Sequence, residues 1–198
     1  VVGKLPLPDA GWKDLKAISL DQGTLHVLDA GRNAVYRYIG DGIEFPDPPK
    51  LYFDEDIPNL SNAVDIEANG DELYILRSSG EMVECTYSHI KDYKLTECLD
   101  PAPYTDSRSG NQPQVVSFPN TQFIQMHMTA APDSSLYLLD VTGRQLYHLS
   151  LKRNLQKVMT PGFEQAGMVD QQVLTAEAIS PGKILFLAYE NMVFMGTL

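Results

Sequence analysis

Chemistry in this 198-residue chain has to be sought in a sparse set of side chains. The four histidines, His26, His89, His127 and His148, are scattered along it. No Ser-His-Asp order, nucleophile elbow, phosphate loop, zinc spacing or dinucleotide fingerprint occurs, and the "GDG" at 40–42 reads as a turn. What remains is a set that a fold could gather: Asp65, His127 and Glu177, each near the start of one of four similar stretches. Two carboxylates and an imidazole can hold a divalent cation, and His127 with Asp65 or Glu177 could serve acid–base catalysis. The same residues equally suit the wall of a water-filled channel, because no tight ligand spacing such as H-E-x-x-H accompanies them. No other cofactor is implied.

The elements that must position these residues come from a repeat. "LKAISLDQGTLHVLDAGRNAVYRYI", "AVDIEANGDELYILRSSGEMVECTY", "IQMHMTAAPDSSLYLLDVTGRQLYHLS" and "LTAEAISPGKILFLAYENMVFMGTL" share one grammar. Each reads as a short strand, a Gly/Asp/Ser turn, an apolar strand, a second tight turn and a third strand. Leu25, Leu73, Leu136 and Leu185 anchor the copies at spacings of 48, 63 and 49 residues. Periods of this size, built of short strands, are the signature of β-propeller blades. The middle strands, "LHVLD", "LYILR", "LYLLD" and "LFLAY", are apolar on both faces, as befits a sheet packed between two others. No window carries a helical apolar stripe. The expected fold is therefore all-β: a β-propeller of four blades with four antiparallel strands each, one domain over 1–198, with repeats at about 8–53, 58–99, 121–160 and 171–198. The fourth copy stops after its third strand, so residues 1–5 are expected to complete it against Val193–Thr197 and remove an open edge. A chain that begins at Val1 rather than Met also fits one arc of a larger propeller, with any targeting segment upstream.

In that alignment Ala17, Asp65, His127 and Glu177 stand near one level of the innermost strands. Asp29 and Asp140 end two middle strands and are expected to accept hydrogen bonds from the turn that follows. Arg32 and Arg144 occupy the same place in that turn and are expected to pair with carboxylates.

The phrases "LHVLDAGRNAVYRY" and "LYLLDVTGRQLYHL" resemble the NHL and YVTN class of bacterial propeller repeats, whose blades read roughly g-x-lYvlD-x-g-x-x-rvy-x-y. The resemblance covers all four copies, about half of the chain, with Arg77 and Tyr189 standing where an aspartate is expected. It implies the propeller part of a large envelope-associated bacterial protein, with binding or scaffolding more than catalysis. The length also resembles the four-bladed hemopexin-like domain, whose disulfide between first and last blades is absent here.

Two further features bear on function. The spacing that leads into the third copy is about 14 residues longer than its neighbours, and the excess lies in "DPAPYTDSRSGNQPQVVSFPN", a long loop at 100–120. Long loops on rigid scaffolds carry binding residues, and Tyr104, Arg108 and Phe118 are its candidates for contact with a protein, a glycan or a small ligand. Many of the ten tyrosines fall on repeat strands and are expected to pack between blades. The only two cysteines are Cys85 and Cys98. A symmetric hairpin about Lys91-Asp92 sets Cys85 opposite Cys98, close enough for a disulfide. A one-residue bulge would leave two buried thiols instead.

The net charge of −11 speaks for solubility and against non-specific binding to a phosphate backbone. No stretch has the ~18 continuous apolar residues of a membrane span. Together these features point to a non-catalytic interaction or scaffold module of a larger, extracytoplasmic protein, with other domains of the same polypeptide or a separate protein as partner. The alternative is an enzyme or a glycan- or small-ligand-binding propeller, its site at the mouth of the channel.

Overall fold

The computed structural model describes residues 4–41, 44–90, 95–106, 108, 114–129, 134–160, 174–179, 184–189 and 192–197. Apart from a 3-10 turn at Ala30–Arg32, every regular element among these residues is a strand. The chain divides into two compact units, one of residues 1–77 and 81–102, the other of residues 78–80 and 103–198.

The first unit holds two four-stranded antiparallel meanders. One runs β1 (Leu15–Asp21), β2 (Thr24–Asp29), β3 (Ala34–Ile39) and β4 (Lys50–Leu51); the other runs β5 (Ala63–Asn69), β6 (Glu72–Arg77), β7 (Met82–Tyr87) and β8 (Thr96–Ala102). Both middle strands are apolar on the two faces and bury both, from Leu25 to Asp29 and from Leu73 to Arg77. Leu28, Val35, Leu60, Ile66, Leu73, Ile75 and Val83 form a common core with Tyr52 and Phe53. Burial of such side chains contributes roughly 1.5–3 kcal/mol each. In the second sheet Cys85 lies opposite Cys98, Thr86 opposite Glu97 and Tyr87 opposite Thr96. The two sulfurs are bonded, with Cα atoms 4.1 Å apart. The register shift in this pair falls between Met82 and Glu84, so it leaves the cysteines facing each other.

The second unit holds a six-stranded sheet in the order β10-β9-β14-β13-β12-β11. Its repeat strands are β11 (Phe123–Met128), β12 (Ser135–Asp140), β13 (Gln145–Ser150) and β14 (Asn154–Met159). The added pair, β9 (Tyr104–Asp106) and β10 (Gln114–Val115), comes from the stretch expected as a loop. β9 lies parallel to β14, Asn154 pairing with Thr105 and Leu155 with Asp106. The 100–120 stretch is thus partly sheet, since the free edge of β14 offers backbone partners that its Pro- and Gly-rich sequence does not advertise. The unit also holds a three-stranded antiparallel sheet of β15 (Leu174–Ile179), β16 (Ile184–Tyr189) and β17 (Val193–Thr197).

The fourth strand expected from residues 1–5 falls largely outside the described residues. Lys4 and Leu5 are described and lie in no strand. Leu5 packs with Trp12 and Phe45 on the cluster of Leu25, Val27, Tyr36 and Tyr38. The Tyr38 hydroxyl donates to the Pro6 carbonyl at 2.6 Å. Apolar contact and this hydrogen bond tie the segment to the first sheet.

One device recurs where the chain enters three of the sheets. The buried Asp29 carboxylate accepts from the backbone N–H of Lys13 (2.9 Å) and Asp14 (2.8 Å). Buried Asp140 accepts from Gln122 N–H (2.8 Å), and also from Thr142 and Gly143 in the following turn. Asp140 thus binds its turn as expected, whereas Asp29 spends its oxygens on the segment that leads into β1. In the second sheet Arg77 takes this place with opposite polarity. Its Nε and Nη2 donate to the Asn59 carbonyl, and Nη1 and Nη2 each donate to Asp100 at 2.6 Å. The turns also correct one equivalence. Asn33 (φ 53°) and Arg144 (φ 52°), each four residues after its aspartate, share the left-handed position, so Arg144 matches Asn33 and not Arg32. Arg32 turns away to the Gly11 and Ala10 carbonyls, with its Nε 3.9 Å from Asp29.

Candidate functional site

Each first strand carries an irregularity in register near its start, between Leu15/Ala17, Ala63/Asp65, Phe123/Gln125 and Leu174/Ala176. Counted from it, Asp65 is equivalent to Gln125, His127 lies two places further along and Glu177 one place along. By register the three therefore hold three different positions of their strands. A shift of one place in a strand changes the face. Glu177 occupies the position of Ile66 and Met126 and, like them, is buried.

Asp65 lies half-buried on β5 of the first unit, its Oδ1 accepting from Ile66 N–H at 2.9 Å. His127 and Glu177 belong to the second unit, on β11 and β15. Burial lowers the His127 pKa, favouring the neutral ring. The Gln125 side chain clamps the Glu177 main chain, donating to its carbonyl and accepting from its N–H, both at 3.0 Å. Among the described residues no group of three or more His, Cys, Asp or Glu side chains is placed to hold a metal ion.

The 100–120 stretch builds a different site. Tyr104, expected at a contact surface, is a core residue instead, whereas Phe118 is mostly buried but lines a cleft. Tyr104 is fully buried and its hydroxyl donates to the Gly80 carbonyl at 2.9 Å. Gly80 has φ +83°, and a Cβ there would come within 3.1 Å of Phe123, so glycine suits this close approach. The Phe118 ring lies 4.9 Å from Tyr104, 5.1 Å from Tyr147 and 6.3 Å from Phe123. Apolar rings with no other place to go thus fold the stretch back on the sheet.

That aromatic bed is the floor of a cleft of about 510 Å³. Val115, Phe118, Pro119, Tyr147 and Val158 give it an apolar wall, and Asp106, Arg108, Gln145 and Thr160 its polar groups. Arg108 is the one loop candidate that lies at the surface. Its Nε and Nη2 grip the two Asp106 oxygens at 2.9 and 2.8 Å, and its backbone N–H adds a third bond. This grip lowers the Asp106 pKa and raises that of Arg108. Burial chiefly raises the Tyr147 pKa, with Asp140 adding and Arg108 opposing. The result is a fixed, charge-balanced rim over an apolar floor, in the size range of small-ligand and side-chain pockets. Asp106, Gln145, Val158 and Thr160 were not singled out by sequence reasoning. The β13–β14 pair sets Gln145 beside Thr160 (3.4 Å) and Tyr147 beside Val158, and the parallel pairing of β9 with β14, which leaves no local signature, adds Asp106.

No protein-family model and no curated protein matches the chain. Solved structures do. The chain aligns over its full length with 99% of the computationally designed Ika4 protein, at 11% identity and a TM-score of 0.53. It is similar to YCF48 bound to D1 peptide, at 14% identity and a TM-score of 0.54, over 98% of this chain and 53% of that one. It is also similar to the extracellular domain of BT4673 from B. thetaiotaomicron, at 15% identity and a TM-score of 0.52, over 97% of this chain and 22% of that one. The chain therefore spans about half of the YCF48 chain and about a fifth of the BT4673 chain. Likeness at such identity speaks for architecture alone, and together with the four repeat sheets it shows that this chain has an all-β fold of the β-propeller type.

Proposed function

We propose that this chain is a non-catalytic β-propeller domain over 1–198, of the NHL/YVTN type, that binds a protein segment in the cleft bounded by β9, β10 and β14. The observation that carries the reading is the cleft itself, with an apolar floor of Phe118, Tyr147 and Val158 and an Arg108–Asp106 pair at the rim. Such a cleft suits an apolar side chain flanked by a polar or charged group, the usual make-up of an interface centre and its rim. The peptide held by YCF48 supports the class of partner. The Cys85–Cys98 bridge supports an oxidising, extracytoplasmic setting.

Selection of a random peptide library on the intact chain tests this reading. Enriched peptides should lose about tenfold or more in affinity with Val158→Asp and with Arg108→Ala. Unchanged urea unfolding of both variants would show that the fold is kept. Peptides that bind both variants as well as the parent chain would overturn the assignment of the cleft.

A further inference from the structure

A second cavity, of about 180 Å³, lies wholly within the first unit. Its walls come from the β1–β2 turn (Asp21, Gln22 and Thr24), from His26 and Arg37, and from Gly70, Asp71 and His89. His26 on β2 and Arg37 on β3 are direct cross-strand partners. His26 is 4% exposed, and its Nδ1 has no hydrogen-bond partner among the described residues. Arg37 Nε is likewise buried without one. The Arg37 guanidinium stacks over the Tyr87 ring at 4.0 Å, which fixes its position without satisfying its N–H donors. Buried polar groups without partners are costly, and those beside a cavity mark a place for a ligand or for ordered water.

The acceptors opposite are also fixed. Asp21 Oδ2 accepts from Gly70 N–H at 2.7 Å, and Asp71 Oδ1 lies 2.8 Å from His89 Nε2. Each carboxylate keeps a second oxygen for another donor. His26 is held neutral, its pKa pushed down to about 4 chiefly by burial, with Arg37 adding and Asp21 opposing. The cavity thus presents one guanidinium, two carboxylates, the neutral imidazole of His26, the imidazole of His89 paired with Asp71, an amide and a hydroxyl. A small anion would meet Asp21 and Asp71 and the −11 charge of the chain. A small cation would meet Arg37. A hydroxyl group both donates and accepts, so vicinal hydroxyls can satisfy Arg37 and an aspartate at once.

We propose that this cavity binds a neutral polyhydroxylated ligand, a single sugar residue, with Arg37 and His26 bonding its oxygens and Asp21 and Asp71 accepting from its hydroxyls. The space is that of about six water molecules at ~30 Å³ each, which suits one sugar ring.

The experiment is a titration of the ¹⁵N-labelled chain with glucose, galactose, mannose and N-acetylglucosamine, and separately with acetate and inorganic phosphate. At least one sugar should shift the amide signals of Thr24, Gly70 and Asp71 saturably, and leave those of Val115 and Thr160 in the peptide cleft unmoved. Asp71→Asn and Arg37→Met should each weaken that sugar by about tenfold or more. If Arg37→Met fails to fold, the parent shift map and the near-isosteric Asp71→Asn decide. The proposal is overturned if no sugar in the panel shifts these amides, if only acetate or phosphate does, or if Asp71→Asn binds sugar as well as the parent. Each of those results leaves the peptide cleft untouched as a hypothesis.

Discussion

Arg77 grips Asp100 with both terminal nitrogens at 2.6 Å while its Nε and Nη2 cap the Asn59 carbonyl, so one side chain binds the entry into β5 to the outer strand β8. The Arg77 side chain is 9% exposed and that of Asp100 28%. Arg77→Met should therefore lose about 2–3 kcal/mol, the range for charge-assisted bonds at a mostly buried site. Asp100→Asn should cost less, because the Asn59 contact survives. Urea unfolding of both variants and of the double variant measures the coupling. Additive losses would show that the two side chains act independently.

Asp29 and Asp140 do the corresponding work in the first and third sheets through acceptor oxygens alone. Replacement by Asn swaps one acceptor for a donor and faces it with backbone N–H groups. Each Asn variant should lose about 1–3 kcal/mol in urea unfolding. A loss confined to one of them would mean that the device does not carry equal weight in the two sheets.

Stability should also fall in mild acid because of His26. In the unfolded chain this ring takes up a proton near pH 6.5, whereas in the fold it resists until about pH 4. Between those values the unfolded state binds more protons, so acid favours unfolding and the stability present above pH 6.5 is lost as pH drops toward 4. The full contribution is on the order of 3 kcal/mol. Arg37 deepens the effect and Asp21 offsets part of it, with Asp71 and His89 sharing the same cavity. His26→Phe keeps a ring against Tyr52 and should flatten the stability profile across this window. A parent profile that is already flat there would show that the ring protonates without penalty.

The Cys85–Cys98 bridge spans a sequence separation of 13. Closing a loop of that size should add about 3 kcal/mol, which reduction or a Cys85→Ala/Cys98→Ala variant removes. Thiol titration of the unfolded, unreduced chain should find no reactive thiol. Two reactive thiols would remove the bridge and with it the support for an oxidising compartment.

The sheets could be read from the sequence because their turns are written in residues with local physics. "DQG", "NGD" and "VTGR" stop strands wherever they occur, and "LYILR" or "LYLLD" has nowhere to go but between sheets. Cys85 opposite Cys98 followed from the same symmetry of a hairpin. What stayed hidden depends on distant partners. Strands of two or three residues in a Pro-rich stretch, β9 and β10, exist because β14 offers an edge some fifty residues away in sequence. The turns between first and second strands also differ in length, Asn69 pairing with Glu72 but Met128 with Leu136 and Ile179 with Leu185, so counting back from the anchor leucines set Asp65, His127 and Glu177 at one level although they hold three different strand positions. The cavity at His26 escaped notice for a third reason: its walls come from two different repeats, and no spacing within either repeat signals it.

The exchange of Asp for Arg at position 77 has a consequence for assembly. A chain made of near-copies risks threading one copy into the place of another during folding. If the strand that ends in Asp140 were to lie where β6 lies, two carboxylates would face each other at the Asp100 site, and the Asn59 carbonyl would meet an acceptor. If β6 were to take the place of β12, the Gln122 amide would face a guanidinium, donor against donor. The second sheet therefore carries its own lock and key, and the polarity of a single side chain helps number the repeats.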